Sequence, residues 1–129
     1  MMRSVVAVLA GTALWSVLWI GFGLGMQAAF PETIQPDRYL GHLPTLLGYL
    51  AASTAFSVIA GYVTALAAGK RPVGHAVAAG IVLVVLGIGF EASYWNLLPV
   101  WYHLVFLALL LPGNVVGGIM RANRMTGGG

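Results

Sequence analysis

Apolar residues fill four long stretches of this chain, and polar residues gather in the short intervals between them. The stretches cover residues 4–30, 43–68, 75–96 and 99–120. Each is long enough for the roughly 20 apolar residues that carry a helix across a bilayer. The intervals hold helix-ending chemistry. Pro31 closes the first stretch and opens a polar run through Glu32, Gln35 and Asp37 to Arg38. Pro44 suits a first helical turn, where a missing N–H costs little. Gly69 suits a C-cap, and Pro72 then bars continuation. Residues 96–99 leave room only for a tight turn, so the third and fourth stretches must form an antiparallel hairpin. The pattern predicts an all-α transmembrane four-helix bundle, built as two antiparallel hairpins in one integral membrane domain of residues 1–129.

Each stretch also has one small or polar face. Thr12, Ser16, Trp19, Gly23 and Gln27 recur at helical spacing in the first, and Ser53, Ser57, Gly61 and Thr64 in the second. Gly80, Gly87, Glu91 and Tyr94 share a side of the third; His103, Leu110, Asn114, Gly117 and Arg121 share one of the fourth. Lipid gives helices no hydrophobic reason to associate, so small residues and weak hydrogen bonders mark packed faces. The pairs Gly21/Gly25, Ser57/Gly61 and Gly113/Gly117 are candidate close-packing positions. They fit packing within one bundle. Gly21 and Gly25, which lie on a different side from Ser16 and Gly23, also fit a seam between copies of the chain.

Glu91 stands out because it is the one acidic residue inside a stretch. An ionisable group at membrane depth is expensive and marks a functional site by default. The tight hairpin puts His103 within about one helical turn of it along the axis. Gln27 and Tyr49 fall at a similar depth in the first two helices. Gln27, Tyr49, Glu91 and His103 therefore form a candidate polar layer, readable as a clasp that fixes helix register or as a ligand or proton site. Asn114 follows Pro112 and Gly113 in the fourth stretch. Pro112 frees a carbonyl one turn earlier and tends to kink a helix, and Asn114 is a candidate either to repair that break or to meet a substrate. Trp15 and Trp19 lie near mid-span, where packed bulk is the expected role and stacking on a pigment or quinone the alternative.

Composition agrees with this reading. About 60% of the 129 residues are hydrophobic and 7% charged, against roughly 25% charged in soluble domains. A soluble domain and a disordered chain are both excluded. The absence of Cys rules out disulfides and thiolate chemistry. The net charge of +3 comes from side chains at helix ends that form no stripe, so no nucleic-acid partner is expected. Arg3, Lys70, Arg71, Arg121 and Arg124 fall on one side, and Arg38 on the other beside Glu32 and Asp37. Cytoplasmic loops carry the excess of Lys and Arg, which predicts both termini inside. Tyr94, Trp95, Trp101 and Tyr102 match an outer interfacial belt. The first stretch is longer than a signal peptide's apolar core of about 7–15 residues, so it is read as a retained span.

No phosphate-binding glycine loop, nucleophile elbow, zinc-protease motif or catalytic carboxylate pair occurs. His42, His103 and the nearby carboxylates lack metal-ligand spacing, and no metal or cofactor is assigned. An internal echo links Ala10-Gly11 and Ile20-Gly21-Phe22 to Ala79-Gly80 and Ile88-Gly89-Phe90.

Residues 61–65 (Gly-Tyr-Val-Thr-Ala), the basic turn leading to His75-Ala76, and residues 94–104 carry a resemblance to small four-span integral membrane proteins of bacteria, a group to which no activity attaches. The resemblance covers about the last two-thirds of the chain and implies a four-helix fold in the bacterial inner membrane. The functional expectation is a non-enzymatic membrane module, acting as an accessory subunit or a homo-oligomer. A small oligomeric transporter or channel using the polar layer, and a cofactor- or lipid-binding protein, are the alternatives.

Overall fold

The computed structural model describes residues 2–34 and 39–127. Four helices account for nearly all of them: α1 (Met2–Ala29), α2 (Leu43–Ala68), α3 (Pro72–Ser93) and α4 (Val100–Gly127), with a single 3-10 turn at Trp95–Leu97 between the last two. All four are long and apolar enough to cross a membrane, and the chain is a multi-pass membrane protein of all-α bundle architecture. Gln35, Pro36, Asp37 and Arg38, which carry part of the topology argument, and the last two glycines lie outside the described residues.

Helix ends follow the sequence signals, with two differences. Pro44 sits in the first turn of α2, and Gly69 caps its end in the left-handed conformation at φ 75°. The third helix begins at Pro72 itself, because Arg71 takes a left-handed φ of 45° and turns the chain within three residues. That conformation is unfavourable for a side chain by about 1–2 kcal/mol. The fourth helix runs unbroken through Pro112 to Gly127. Helical backbone continues across Pro112, whose ring forfeits its own bond to the Ala108 carbonyl.

The two hairpins are antiparallel: Arg3 meets Ala67 and Trp15 meets Ser57 in the first, and Gly80 meets Leu111 and Glu91 meets His103 in the second. They join through α2 and α4, which run parallel and touch backbone to backbone. A side chain at Gly61 would strike the main chain of Asn114, and one at Gly117 would strike Val58 and Tyr62. Gly113 rests on Ser57 in the same seam, where an added Cβ would lie 2.6 Å from that residue's Cβ. Four of the candidate packing positions, Ser57, Gly61, Gly113 and Gly117, thus work inside the bundle. Gly21 and Gly25 do not, for a Cβ at either meets nothing within 4 Å.

The internal echo has a structural counterpart. Gly11 and Gly80 each receive the next helix of their own hairpin, while Gly21 and Gly89 both face outward. The helix α1 packs on α2 and more loosely on α3. Three cavities follow the α1–α3 side from one end of the bundle to the other.

At the basic end, Arg3 donates from Nε to the carbonyl of Ala67 at 2.9 Å, closing α2 with a cation at its negative terminus. His75 donates from Nδ1 to the Arg71 carbonyl and accepts from the Ser4 hydroxyl. The core is aromatic toward the opposite end. Trp15 and Trp19 stack with ring centroids 5.5 Å apart, and Phe106 closes on both. Tyr102 departs from the expected interfacial belt. It is buried and stacks on Phe106, because it shares the inward face of α4 with His103, Phe106 and Leu110, whereas Tyr94, Trp95 and Trp101 stay exposed.

Candidate functional site

The end of the bundle opposite the basic residues holds a cavity of about 520 Å³. Gln27 lines it from α1, Tyr49 from α2 and Glu91 from α3, so three members of the expected polar layer share one space. His103 belongs to it through Glu91, whose Oε2 is bonded to the ring Nδ1. Residue spacing explains the pairing. Glu91 ends the inward row Ala76, Leu83, Gly87 of α3, Tyr102 and His103 begin the inward face of α4, and the 3-10 turn between them is short enough to bring the two level.

The protonation of this pair follows from its partners. His103 Nε2 lies 3.1 Å from the Trp95 carbonyl oxygen. A carbonyl only accepts, so Nε2 carries a hydrogen. A single further proton then lies between Nδ1 and the carboxyl. If Glu91 holds it, the imidazole is neutral; if His103 holds it, an imidazolium faces a carboxylate. The pair is electrically neutral in both forms, which is how two titratable groups tolerate an almost complete lack of solvent contact. Trp95 adds its indole, stacked on the imidazole with centroids 4.5 Å apart and planes 10° from parallel.

The other carboxyl oxygen is not accounted for. Glu91 is 1% exposed, lines the cavity, and its Oε1 has no hydrogen-bond partner. Buried polar atoms are nearly always paired, and an orphaned one calls for an explanation. Around it the cavity wall is aromatic: Trp19, Tyr49, Phe90, Tyr94 and Tyr102. Ile34 and Leu40 of the α1–α2 connection complete the rim. The Leu40 N–H donates to the Leu97 carbonyl at 2.8 Å and ties that connection to the α3–α4 turn.

Asn114 lies apart from this site. It is fully buried in the α2–α4 seam, eleven residues or about 16 Å along α4 from His103. Its Nδ2 donates to the Leu110 carbonyl at 2.9 Å, and so it does not repair the carbonyl of Ala108 freed by Pro112. His42 is exposed and bonds Thr45 at the start of α2. Among the described residues, no three His, Asp or Glu side chains converge as metal ligands. Trp15 acts as core, donating from Nε1 to Ser57 Oγ at 3.2 Å.

Sequence reasoning missed Tyr102 and the Trp95 carbonyl. The spacing of Tyr102, Phe106 and Leu110 by four was the available signal for the first. The second is a backbone group whose direction depends on the 3-10 turn. No family model matches the chain, and no curated protein or solved structure matches it.

Proposed function

We propose that this chain is a non-catalytic membrane module that binds a small amphiphilic ligand in the cavity beside Glu91. The observation that carries this reading is the unpartnered Oε1 of a fully buried carboxyl on the wall of a cavity large enough for a small molecule. Ligand sites are concave, mostly apolar, and hold a few well-placed polar groups, and this cavity has that character. The module sits in the bacterial inner membrane with its basic end in the cytoplasm, as the side of Lys70, Arg71, Arg121 and Arg124 supports, and it is similar in layout to small four-span bacterial membrane proteins.

The test uses Gly23, which lines the cavity and has open space where a Cβ would go. Gly23→Phe adds a ring at the cavity wall from a position whose Cβ meets nothing within 4 Å. Titration of the nanodisc-embedded protein with 1-aminoanthracene, read by energy transfer from tryptophan, should saturate in the native chain and lose that component in Gly23→Phe. Identical curves would remove the cavity as a binding site.

A second reading, assembly of like copies, is favoured by Gly21 and Gly25. They present a smooth strip on the outward side of α1 between exposed Val17, Ile20 and Leu24. Cross-linking in membranes that is unchanged by Gly21→Leu/Gly25→Leu would dismiss it.

A further inference from the structure

Resting on the ligand-binding reading, we infer that the occupant is a lipophilic ammonium ion without a phosphate, and that it enters in exchange for the single proton held by Glu91 and His103.

Three observations converge on this chemistry. First, the orphaned Oε1 is an acceptor, and it needs an N–H or O–H donor. Second, the wall around it is aromatic, with Trp19, Phe90, Tyr94 and Tyr102 among its rings, and among the described residues no Lys or Arg lines it. Aromatic faces attract cations, most strongly where water is excluded, and a phosphate would find no cationic partner among these lining residues. Third, a narrower cavity of about 200 Å³ continues from the first, sharing Trp19 and Phe90 and lined by Ile20, Leu83 and Leu86. It lies one to two turns below Glu91, roughly 6–12 Å along the axis, and suits an alkyl tail.

Charge balance supplies the exchange. The resting pair is neutral, so a cation added to it would stand uncompensated in a low-dielectric site. Release of the shared proton to bulk water breaks the Nδ1–Oε2 hydrogen bond, since both atoms are then acceptors, and the ammonium's N–H groups replace it on the carboxylate while the neutral imidazole keeps its bond to Trp95; the site is neutral before and after. Among the described residues, the titratable groups facing Glu91 are Tyr94 on its own helix, Tyr49 from α2, and Tyr102 and His103 from α4, while α1 brings Gln27 and Trp19. The proton that leaves is the one hydrogen-bonded between Glu91 and His103.

The experiment is calorimetric titration of the protein in nanodiscs, with empty nanodiscs subtracted, in two buffers of different ionisation enthalpy. The probes are n-octylammonium, 1-octanol and dioctanoyl phosphatidylethanolamine. Octylammonium should bind at least tenfold more tightly than either of the others, release one proton, and bind more tightly as pH rises, as coupled proton release requires. Glu91→Gln keeps a donor to His103 Nδ1; it should weaken octylammonium at least tenfold and release no proton. Equal binding of 1-octanol, or no proton release in the native chain, overturns the inference. Tighter binding of the phosphatidylethanolamine overturns it in favour of a phospholipid headgroup. If octylammonium fails while the Gly23→Phe-sensitive 1-aminoanthracene signal persists, only this inference falls; if that signal is also missing, the cavity reading falls with it.

Discussion

Glu91 and His103 bond side chain to side chain across the α3–α4 turn, with 1% and 0% of their side chains exposed. Neither residue is comfortable alone at that depth. Removing one partner of a buried pair strands the other and costs about 3–5 kcal/mol. His103→Leu and Glu91→Leu should each destabilise the protein on that scale, and the double substitution should cost far less than their sum. Unfolding in mixed micelles measures the cycle; strictly additive single effects would mean that the bond contributes nothing.

The glycines separate into two groups with opposite expectations. Gly61→Ala and Gly117→Ala force a methyl into the facing main chain of α4 and α2 respectively, and overpacking of this kind costs about 1–3 kcal/mol. Gly21→Ala and Gly25→Ala meet open space and should stabilise α1 by a fraction of the roughly 1 kcal/mol difference in helix propensity. Thermal unfolding of the four variants in one detergent tests the division.

Ser57 serves two partners, donating to the Ser53 carbonyl and accepting from Trp15 Nε1. Ser57→Ala leaves the indole N–H unpaired in the core, at a cost of about 1–3 kcal/mol. Trp15→Phe removes donor and demand together and should cost less at this bond, though it also trims the stack on Trp19. The ranking of the two is the informative result.

Arg3 ties the start of α1 to the end of α2 through the Ala67 carbonyl. Arg3→Met should loosen that end by about 0.5–1.5 kcal/mol, the worth of one such bond. Amide exchange at residues 65–69 should quicken while the α2–α4 seam stays protected. Uniform quickening along α2 would show that Arg3 supports the whole helix.

Because the native chain has no Cys, orientation can be mapped on a clean background. Lys70→Cys should label with an impermeant maleimide only from the cytoplasmic side, and Thr33→Cys only from the opposite side. Labelling of both from one side would refute the four-span topology.

Much of the fold was legible because lipid leaves so few solutions. Length and apolarity alone mark four spans, and the tight 96–99 turn forces a hairpin that brings Glu91 and His103 level. The polar layer was legible for the same reason, since depth can be counted along a helix from its end. Rotation is harder to read. Tyr102 looked like an interfacial residue because it neighbours Trp101, and only its spacing to Phe106 and Leu110 turns it inward. Asn114 lay on the correct face but at the wrong depth to join the site, and the helix absorbed Pro112 without breaking. Gly21/Gly25 and Gly113/Gly117 have the same spacing, and only their neighbours tell an outward strip from an internal seam.

The parallel seam of α2 and α4 bears on how the protein is made. Its contacts, such as Ser57 with Gly113, link residues far apart in sequence and on different hairpins. During synthesis the first hairpin enters the bilayer before its tightest neighbour exists, with the bare strip around Gly61 turned to lipid. Closing this seam therefore requires the two hairpins to meet sideways within the bilayer. A substitution in that strip would act on biogenesis, as a first hairpin exposed too long to quality-control proteases, before it acted on the finished fold.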